Sequence, residues 1–338
     1  MTTEAVGEAW TAVAVVPALN ERAHICGLIE TLLDDPAWPD PLIVVVDGGS
    51  TDGTYEAVQR FAAEDPRVKL VRNPRRVQSA GLNLAAELYG AGRRCLVRVD
   101  AHARYSRGYV SALLAEASSV GAASVVVSMR SAGRSCFQRA VALAQNSLLG
   151  TGGAAHRVRS RPGFVDHGHH ALFDMAAFLA SGGYDASFTH NEDAELDVRL
   201  RRNGGRIWLT RTVEVTYFPR ATPAALFRQY FNYGWGRART FRRHRQPLRL
   251  RQLAPLAVAP ALAALLAAPL LPMAAAPALL WAATCCLYGL ALALARLEVC
   301  AVMSGPAAMI MHAGWSCGFW AQLAAGGARA RPKPELAR

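Results

Sequence analysis

The sequence predicts an α/β domain built on a mostly parallel, doubly wound sheet, followed by an apolar helical region that enters a membrane. Three observations predict it. Short, apolar, β-branched runs alternate with helix-patterned segments over the first hundred residues, the signature of parallel strands joined by crossover helices. Two of these runs lead into an aspartate, Asp47 and Asp100, and doubly wound sheets bind ligands beyond the carboxyl ends of their strands. Hydrophobic residues make up 52% of the chain and charged residues 18%. The apolar excess is concentrated late, with no charged residue from Leu253 to Ala295 or from Val299 to Ala328.

The elements follow in order. Thr11 to Val16 reads as a buried strand ending at Pro17, and Glu21 to Leu33 as a helix with Ile25, Leu28, Ile29, Leu32 and Leu33 on one side. Leu42 to Val46 is a second strand, stopped by Asp47-Gly48-Gly49-Ser50, with a helix from Thr54 to Ala63. Val68 to Arg72, a helix from Val77 to Leu88, and Cys95 to Val99 continue the alternation to Asp100. A helix at Tyr109 to Ala117 and a strand at Ala122 to Met129 follow. The Gly-, Arg- and His-rich stretch from Gly150 to Gly168 reads as a long loop, which in a compact domain is often functional. Ala194 to Arg202 is a helix, Arg206 to Leu209 a strand, and Phe227 to Phe241 an aromatic, basic, amphipathic helix suited to an interface.

The net charge is +12. Arg220, Arg228, Arg237, Arg239, Arg242, Arg243, Arg245, Arg249 and Arg251 precede the first apolar run with no acid among them. A basic cluster beside an apolar segment reads as a cytoplasmic anchor on anionic headgroups. Zinc-finger spacing and RNA-recognition aromatics are absent, which excludes nucleic acid as the partner. The apolar region divides near Pro272 and Pro277 and again at Arg296-Leu297-Glu298. The expected organisation is a catalytic domain at 1–245, a membrane region at 246–328 with segments 253–273, 276–295 and 299–323, and a basic tail at 329–338. Segments of this length approach the ~20 residues that span a bilayer. The first carries Pro255, Pro260, Pro269 and Pro272 and is the candidate for a broken or re-entrant helix. Met1 to Trp10 carries Glu4 and Glu8 and no apolar core, unlike a signal peptide. The expected location is therefore the cytoplasmic membrane, multi-pass, with the catalytic domain facing the cytosol. The seven cysteines, without a Cys-x-x-Cys, read as reduced, small apolar residues.

Carboxylates cluster at the turns. Asp47-Gly48-Gly49 allows close approach of backbone to a ligand, and the following helix N-terminus can face a phosphate. A plain turn with a helix cap accounts for the same residues. Asp100-Ala101-His102 places a carboxylate and an imidazole where both can reach one divalent ion, Mg²⁺ or Mn²⁺. Such a metal stabilises a departing diphosphate. Asn191-Glu192-Asp193 precedes a helix, where a carboxylate can act as a base or simply complement the helix dipole.

Together these segments resemble the family 2 glycosyltransferases of GT-A fold, a Rossmann-like nucleotide-diphospho-sugar transferase domain. The resemblance rests on Val16-Pro17-Ala18-Leu19-Asn20-Glu21, Val46 to Thr54, Asp100-Ala101-His102, Gly182-Gly183-Tyr184-Asp185, Asn191-Glu192-Asp193 and Gln229 to Arg237, in that order. With Met311-His312-Ala313-Gly314-Trp315 and Gly318-Phe319 it narrows to membrane-associated exopolysaccharide transferases of the succinoglycan-biosynthesis type.

The resemblance implies roles. Pro17, Asn20 and Glu21 line the nucleotide pocket. Asp47 binds the base or ribose, with Asp52 near it. Asp100 and His102 hold the metal in place of the family's Asp-x-Asp. Asp193 is the general base of an inverting transfer, and Glu192 positions the acceptor. Gln229, Trp235 and Arg237 stand where the family has its Gln-x-x-Arg-Trp element, although the spacing differs here. The implied donor is a UDP-hexose and the implied acceptor a lipid-linked saccharide, with other polysaccharide-assembly proteins as partners. A polyprenyl-phosphate sugar synthase and a non-catalytic nucleotide-sugar-binding scaffold are the alternatives. His156, His167, His169 and His170 lie on the acceptor-side loop of this reading and are read as substrate contacts rather than as a zinc site.

Overall fold

Residues 12–18 are small or β-branched except for one proline, which suits a strand covered on both faces. In the computed structural model, which describes residues 10–153 and 161–326, they form β1 (Ala12–Ala18), buried almost throughout. The chain then runs through α1 (Ile25–Leu33), β2 (Ile43–Asp47), α2 (Thr54–Glu64), β3 (Val68–Arg72), α3 (Gln78–Tyr89), β4 (Cys95–Arg98), α4 (Tyr109–Val120) and β5 (Ser124–Ser131). After α5 (Cys136–Gln145) and α6 (Leu148–Thr151) come β6 (Gly163–Val165), β7 (His169–Asp174), α7 (Met175–Ala180), α8 (Glu192–Arg202) and β8 (Ile207–Tyr217). The last helices are α9 (Pro223–His244), α10 (Leu250–Leu256), α11 (Val258–Ala264), α12 (Ala276–Arg296) and α13 (Ser304–Ala324).

The sheet order is β3-β2-β1-β4-β7-β5-β8-β6. Its first four strands are parallel, as the alternating pattern predicts, with Ala18 opposite Asp47 and Val15 opposite Arg98. The rest departs from a doubly wound parallel sheet. β7 runs antiparallel to both β4 and β5, and β6 antiparallel to β8. The strand expected at Arg206 to Leu209 extends to Tyr217, and β6 lies inside the stretch read as a loop. Side-chain alternation in β1 feeds two cores. Ala12, Ala14 and Val16 meet Ile25, Ile29, Val58, Val110 and Leu113 on one face. Val13 and Val15 meet Leu82, Ala85, Phe173, Phe178 and Leu196 on the other. Burying each large apolar side chain contributes about 1.5–3 kcal/mol.

The described residues fall into two compact units, one holding everything up to Ser128 together with Pro162–Val215, the other taking the rest. In this division α5, α6 and α9 cluster with the apolar helices. Thr222 caps α9 through its hydroxyl, and Pro223 opens the helix. Val141, Ala144, Leu226, Ala307, Ala308 and Met311 form this unit's core. Of the three apolar segments, the first breaks into α10, α11 and 3-10 turns, as its prolines require. Pro272–Arg296 is long and apolar enough to cross a membrane, with mean hydropathy 2.0. The third, α13, packs against α9.

The cysteines need a correction. Cys136 and Cys300 form a disulfide, because the turn after α12 lies on α5, where Arg139 also pairs with Glu298 at 3.3 Å. Cys26, Cys95, Cys285, Cys286 and Cys317 are free.

Candidate active site at the carboxyl edge of the parallel strands

Two turns close the ends of β1 and β2 and are laced together. Asn20 sits at φ 57, a left-handed conformation that asparagine tolerates. Its backbone N–H donates to the Ser50 hydroxyl at 2.9 Å, and its side-chain carbonyl accepts from Thr51 N–H at 2.8 Å. Glu21 N–H donates to the Thr54 hydroxyl at 2.8 Å. Asp52 accepts from Arg22 N–H and from the N–H and hydroxyl of Thr54. Burial opposes the Asp52 carboxylate, but these hydrogen bonds outweigh it and lower its pKa. Asp52 is thus a clamp between the turns. Arg76, which the sequence did not single out, donates to the carbonyls of Gly48 and Gly49. Gly49 suits glycine because its φ of +91 strains any L side chain.

Asp47 is 2% exposed. Its Oδ1 accepts from the N–H groups of Gly49 and Ser50 at 2.8 and 3.0 Å, while its buried Oδ2 has no hydrogen-bond partner among the described residues. An unpaired buried carboxylate oxygen is costly, and it fits a site completed by a ligand N–H or O–H.

The centre of the site is Arg98, the last residue of β4, buried at 6% exposure. Its Nε donates to Asp100 Oδ1 at 3.1 Å and its Nη1 to Asp193 Oδ1 at 2.8 Å, with Glu192 3.9 Å away. Burial works against the cation, but Asp100 and then Asp193 more than offset it and hold the guanidinium pKa well above its usual value. Burial likewise opposes the Asp100 carboxylate, and Arg98 followed by His169 keeps it well below the ordinary carboxylate range. Gln78 Nε2 also donates to Asp100 Oδ1 at 2.9 Å. The Tyr184 hydroxyl donates to Asp193 Oδ1 at 2.8 Å. Tyr184 is fixed by two bonds to Asn83, beside the left-handed Gly182 and Gly183.

Glu192 and Asp193 form the first turn of α8, and Asn191 precedes them at φ 61. Burial, and then the charge of Asp193, push Glu192 up to about 7. His169 stands between the two ends of the cluster, its Nε2 3.4 Å from Asp100 Oδ2 and its Nδ1 3.9 Å from Asp193 Oδ2. His167 binds the buried Asp197 at 2.5 Å, and His170 lies on β7. His156 lies outside the described residues. His102 is 65% exposed, with Nδ1 3.1 Å from Glu21 Oε1.

Asp100, Glu192 and Asp193 thus meet around one cation, and Asp47, Asn20 and Glu21 line the ends of the two neighbouring strands. Pro17 sits in the same row, opposite Val46. Gln229, Trp235 and Arg237 are carried by α9 in the second unit. There Gln229 Nε2 donates to the hydroxyls of Tyr217 and Tyr233, and the Trp235 ring stacks on Phe231. Arg98, Tyr184 and His169 are the members that sequence reasoning left without this role. For Arg98 a signal existed: a charged residue interrupts the apolar run from Cys95 to Val99.

Among the described residues no three His, Cys, Asp or Glu side chains form a metal cage. A divalent ion bound with a substrate diphosphate needs only one or two protein donors, because phosphate oxygens and water complete its shell. The ionised Asp100 and the accessible His102 are donors of that kind.

Strand-end acids beside the turns after β1 and β2 on a half-parallel sheet suit a transferase acting on a nucleotide sugar, and the comparisons establish the glycosyltransferase class. Glycosyl transferase family 2 matches residues 13–180. The chain is 48% identical over 309 residues, covering 91% of it and 94% of the relative, to the succinoglycan biosynthesis protein ExoA of Rhizobium meliloti (strain 1021). The chain therefore belongs to glycosyl transferase family 2 and is a glycosyltransferase. Its fold is GT-A-like. It is similar to the mannosyltransferase PcManGT from Pyrobaculum calidifontis, solved with GDP-Man and Mn²⁺, with a TM-score of 0.62 and 22% identity over 93% of this chain and 87% of that one. It is also similar to GalNAc-T7, solved with UDP, GalNAc and Mn²⁺, with a TM-score of 0.50 and 16% identity over 70% of this chain and 48% of that one.

Proposed function

We propose that this glycosyltransferase moves a hexose from a UDP-sugar to a lipid-linked saccharide, with inversion, in exopolysaccharide synthesis at the cytosolic face of the membrane. The observation that carries the reading is the bridge through Arg98, which puts the donor-side acid Asp100 and the acceptor-side acid Asp193 on one guanidinium. The relative's role in succinoglycan synthesis supports the product class, and the exposed apolar helices support a lipid-borne acceptor.

In this reading the Asp47 Oδ2 accepts from the nucleoside, and the turns at Asn20, Glu21 and Gly49 hold it. Asp100 and His102 would hold Mn²⁺ or Mg²⁺, which when bound would offset charge on the leaving diphosphate. Asp193 accepts the proton of the acceptor hydroxyl as that oxygen attacks the sugar from the face opposite the nucleotide. Arg98 and Tyr184 both donate to its Oδ1, which orients Oδ2 toward the acceptor. Glu192, protonated over part of the neutral range, can donate a hydrogen bond that positions the acceptor.

The test is a donor screen by released nucleotide, run with a membrane lipid extract, a bare polyprenyl phosphate and a diphosphate-linked saccharide as acceptors. UDP release with the diphosphate-linked saccharide supports the proposal. Turnover with bare lipid phosphate alone makes it a polyprenyl-phosphate sugar synthase. Donor binding without transfer to any acceptor makes it a scaffold.

A further inference from the structure

We propose that the apolar helix α12 lies along one leaflet rather than through the bilayer, in place of the multi-pass arrangement that its length alone implies. The inference rests on the membrane association proposed above and concerns its mode. The argument starts from α9. Over its 22 residues, about 33 Å, it carries Arg228, Arg237, Arg239, Arg242 and Arg243, spread from one end to the other. A charge at the bilayer centre is costly, and five at successive depths exclude a transbilayer path. Arg228, Arg239, Arg242 and Arg243 fall on one side of α9, and an amphipathic helix with such a face lies in the plane of the headgroups.

α13 is bound to α9 side by side over its length. A Cβ on Gly314 would lie 2.7 Å from the Phe227 carbonyl oxygen, one on Gly318 1.9 Å from that of Phe231, and one on Gly234 1.9 Å from that of Trp315. Further along, the Phe319 ring packs on Phe241 and Arg242 reaches the Gln322 carbonyl. From Phe227 beside Gly314 at one end to Arg242 beside Gln322 at the other, the contacts advance in the same direction along both helices, so the two are parallel and α13 takes the in-plane direction of α9. α12 then folds back along α13. Trp281 Nε1 donates to His312 Nδ1 at 3.3 Å, and Gly289 and Cys285 meet Gly305 at backbone distance. These pairs fall in one helix as they rise in the other, so α12 is antiparallel to α13.

No other described residue covers the outward stripe of α12: Leu279, Cys286, Leu290 and Leu294 are exposed, and Leu270 before it and Leu297 after it are 93% and 94% exposed. No acid occurs between Glu214 and Glu298. The charge pattern selects the occupant. Arginines along α9 meet anionic headgroups, while the leucine stripe of α12 enters the acyl chains of the same leaflet.

The experiment uses the full chain bound to vesicles of phosphatidylethanolamine and phosphatidylglycerol. Nitroxide labels are placed one at a time at Leu279→Cys, at Cys286 and at Leu294→Cys, with the other free cysteines changed to alanine. An environment-sensitive fluorescent amino acid encoded at the same positions in the otherwise native chain, quenched by brominated lipids, reads the same depths should the alanine background not fold. An in-plane helix gives three depths that agree within about 5 Å, one helical turn, none at the midplane. A profile with Cys286 at the midplane and the flanking sites shallower, or a steady slope over the ~22 Å between Leu279 and Leu294, overturns the in-plane reading and leaves membrane association standing. A chain that stays with the aqueous phase in flotation overturns both. Arg242→Gln, Arg243→Gln and Arg245→Gln together should weaken vesicle binding about 10²-fold.

Discussion

Replacing Arg98 by methionine keeps most of the side-chain volume and removes the charge on which the site is assembled. Asp100, Asp193 and Glu192 then remain close together, largely out of water, with no cation among them. Removing one partner of a buried ion pair costs about 3–5 kcal/mol, and here one guanidinium serves two carboxylates directly. The cost depends on pH with a definite sign. In the parent, Asp100 is held well below its usual range, so its stabilisation is present above the unfolded carboxylate pKa and is lost as pH falls through the lower folded value. In Arg98→Met the buried acids instead resist ionisation, so stability falls as pH rises. The difference between parent and variant should therefore be largest near pH 8 and shrink toward pH 5. Urea unfolding followed by tryptophan fluorescence at the two pH values measures it, provided both chains unfold in a single transition. Arg98→Lys should recover part of the loss, since an ammonium keeps the charge but not the fork that reaches two acids at once. A methionine variant within about 0.5 kcal/mol of the parent at both pH values, the size of an ordinary surface substitution, would refute the reasoning.

Three further outcomes are expected. Glu192 is raised from 4.5 to about 7, so the folded chain holds its proton more tightly than the unfolded chain. It should lose up to about 3 kcal/mol of stability as pH rises from 4.5 through 7, and Glu192→Gln should flatten that slope in the same unfolding assay. Asp47→Asn keeps the Oδ1 that binds Gly49 and Ser50 but turns the unpaired Oδ2 into a donor. It should weaken donor binding by about 10–100-fold at little cost in stability, as read by nucleotide-sugar calorimetry. Gly318→Val places carbon against the Phe231 carbonyl and should destabilise the second unit by about 1–3 kcal/mol, seen as faster proteolysis of α13.

The first half of the sheet is legible because its strands are buried on both faces and read as apolar runs closed by turn residues, so β1 to β4 and their strand-end acids follow directly. The second half is not. β6 is three residues long, and β7 opens on two histidines with only Ala171-Leu172-Phe173 as an apolar run, too short to mark a strand. Asp193 was found as an acid at a helix start, but its partners Arg98 and Tyr184 are distant in sequence, and only the folded chain brings them together. α13 reads as a membrane segment because its glycines and alanines are apolar. The same Gly314-x-x-x-Gly318 spacing is what lets a neighbouring backbone approach, and the structure uses it against α9. The pairing of Cys136 with Cys300 depends on a turn packing against a helix 164 residues away, for which sequence spacing gives no signal.

The central claim is that acids from distant parts of the chain act in one transfer, Asp100 on the donor side and Asp193 on the acceptor side. It is tested most directly by measuring UDP-sugar binding and sugar transfer together in Asp193→Asn and Asp100→Ala across a Mn²⁺ titration. The account predicts that Asp193→Asn binds donor as the parent does and loses transfer by at least about 10²-fold, while Asp100→Ala loses the metal dependence of donor binding. Full turnover in Asp193→Asn, or an unchanged Mn²⁺ response in Asp100→Ala, would contradict it.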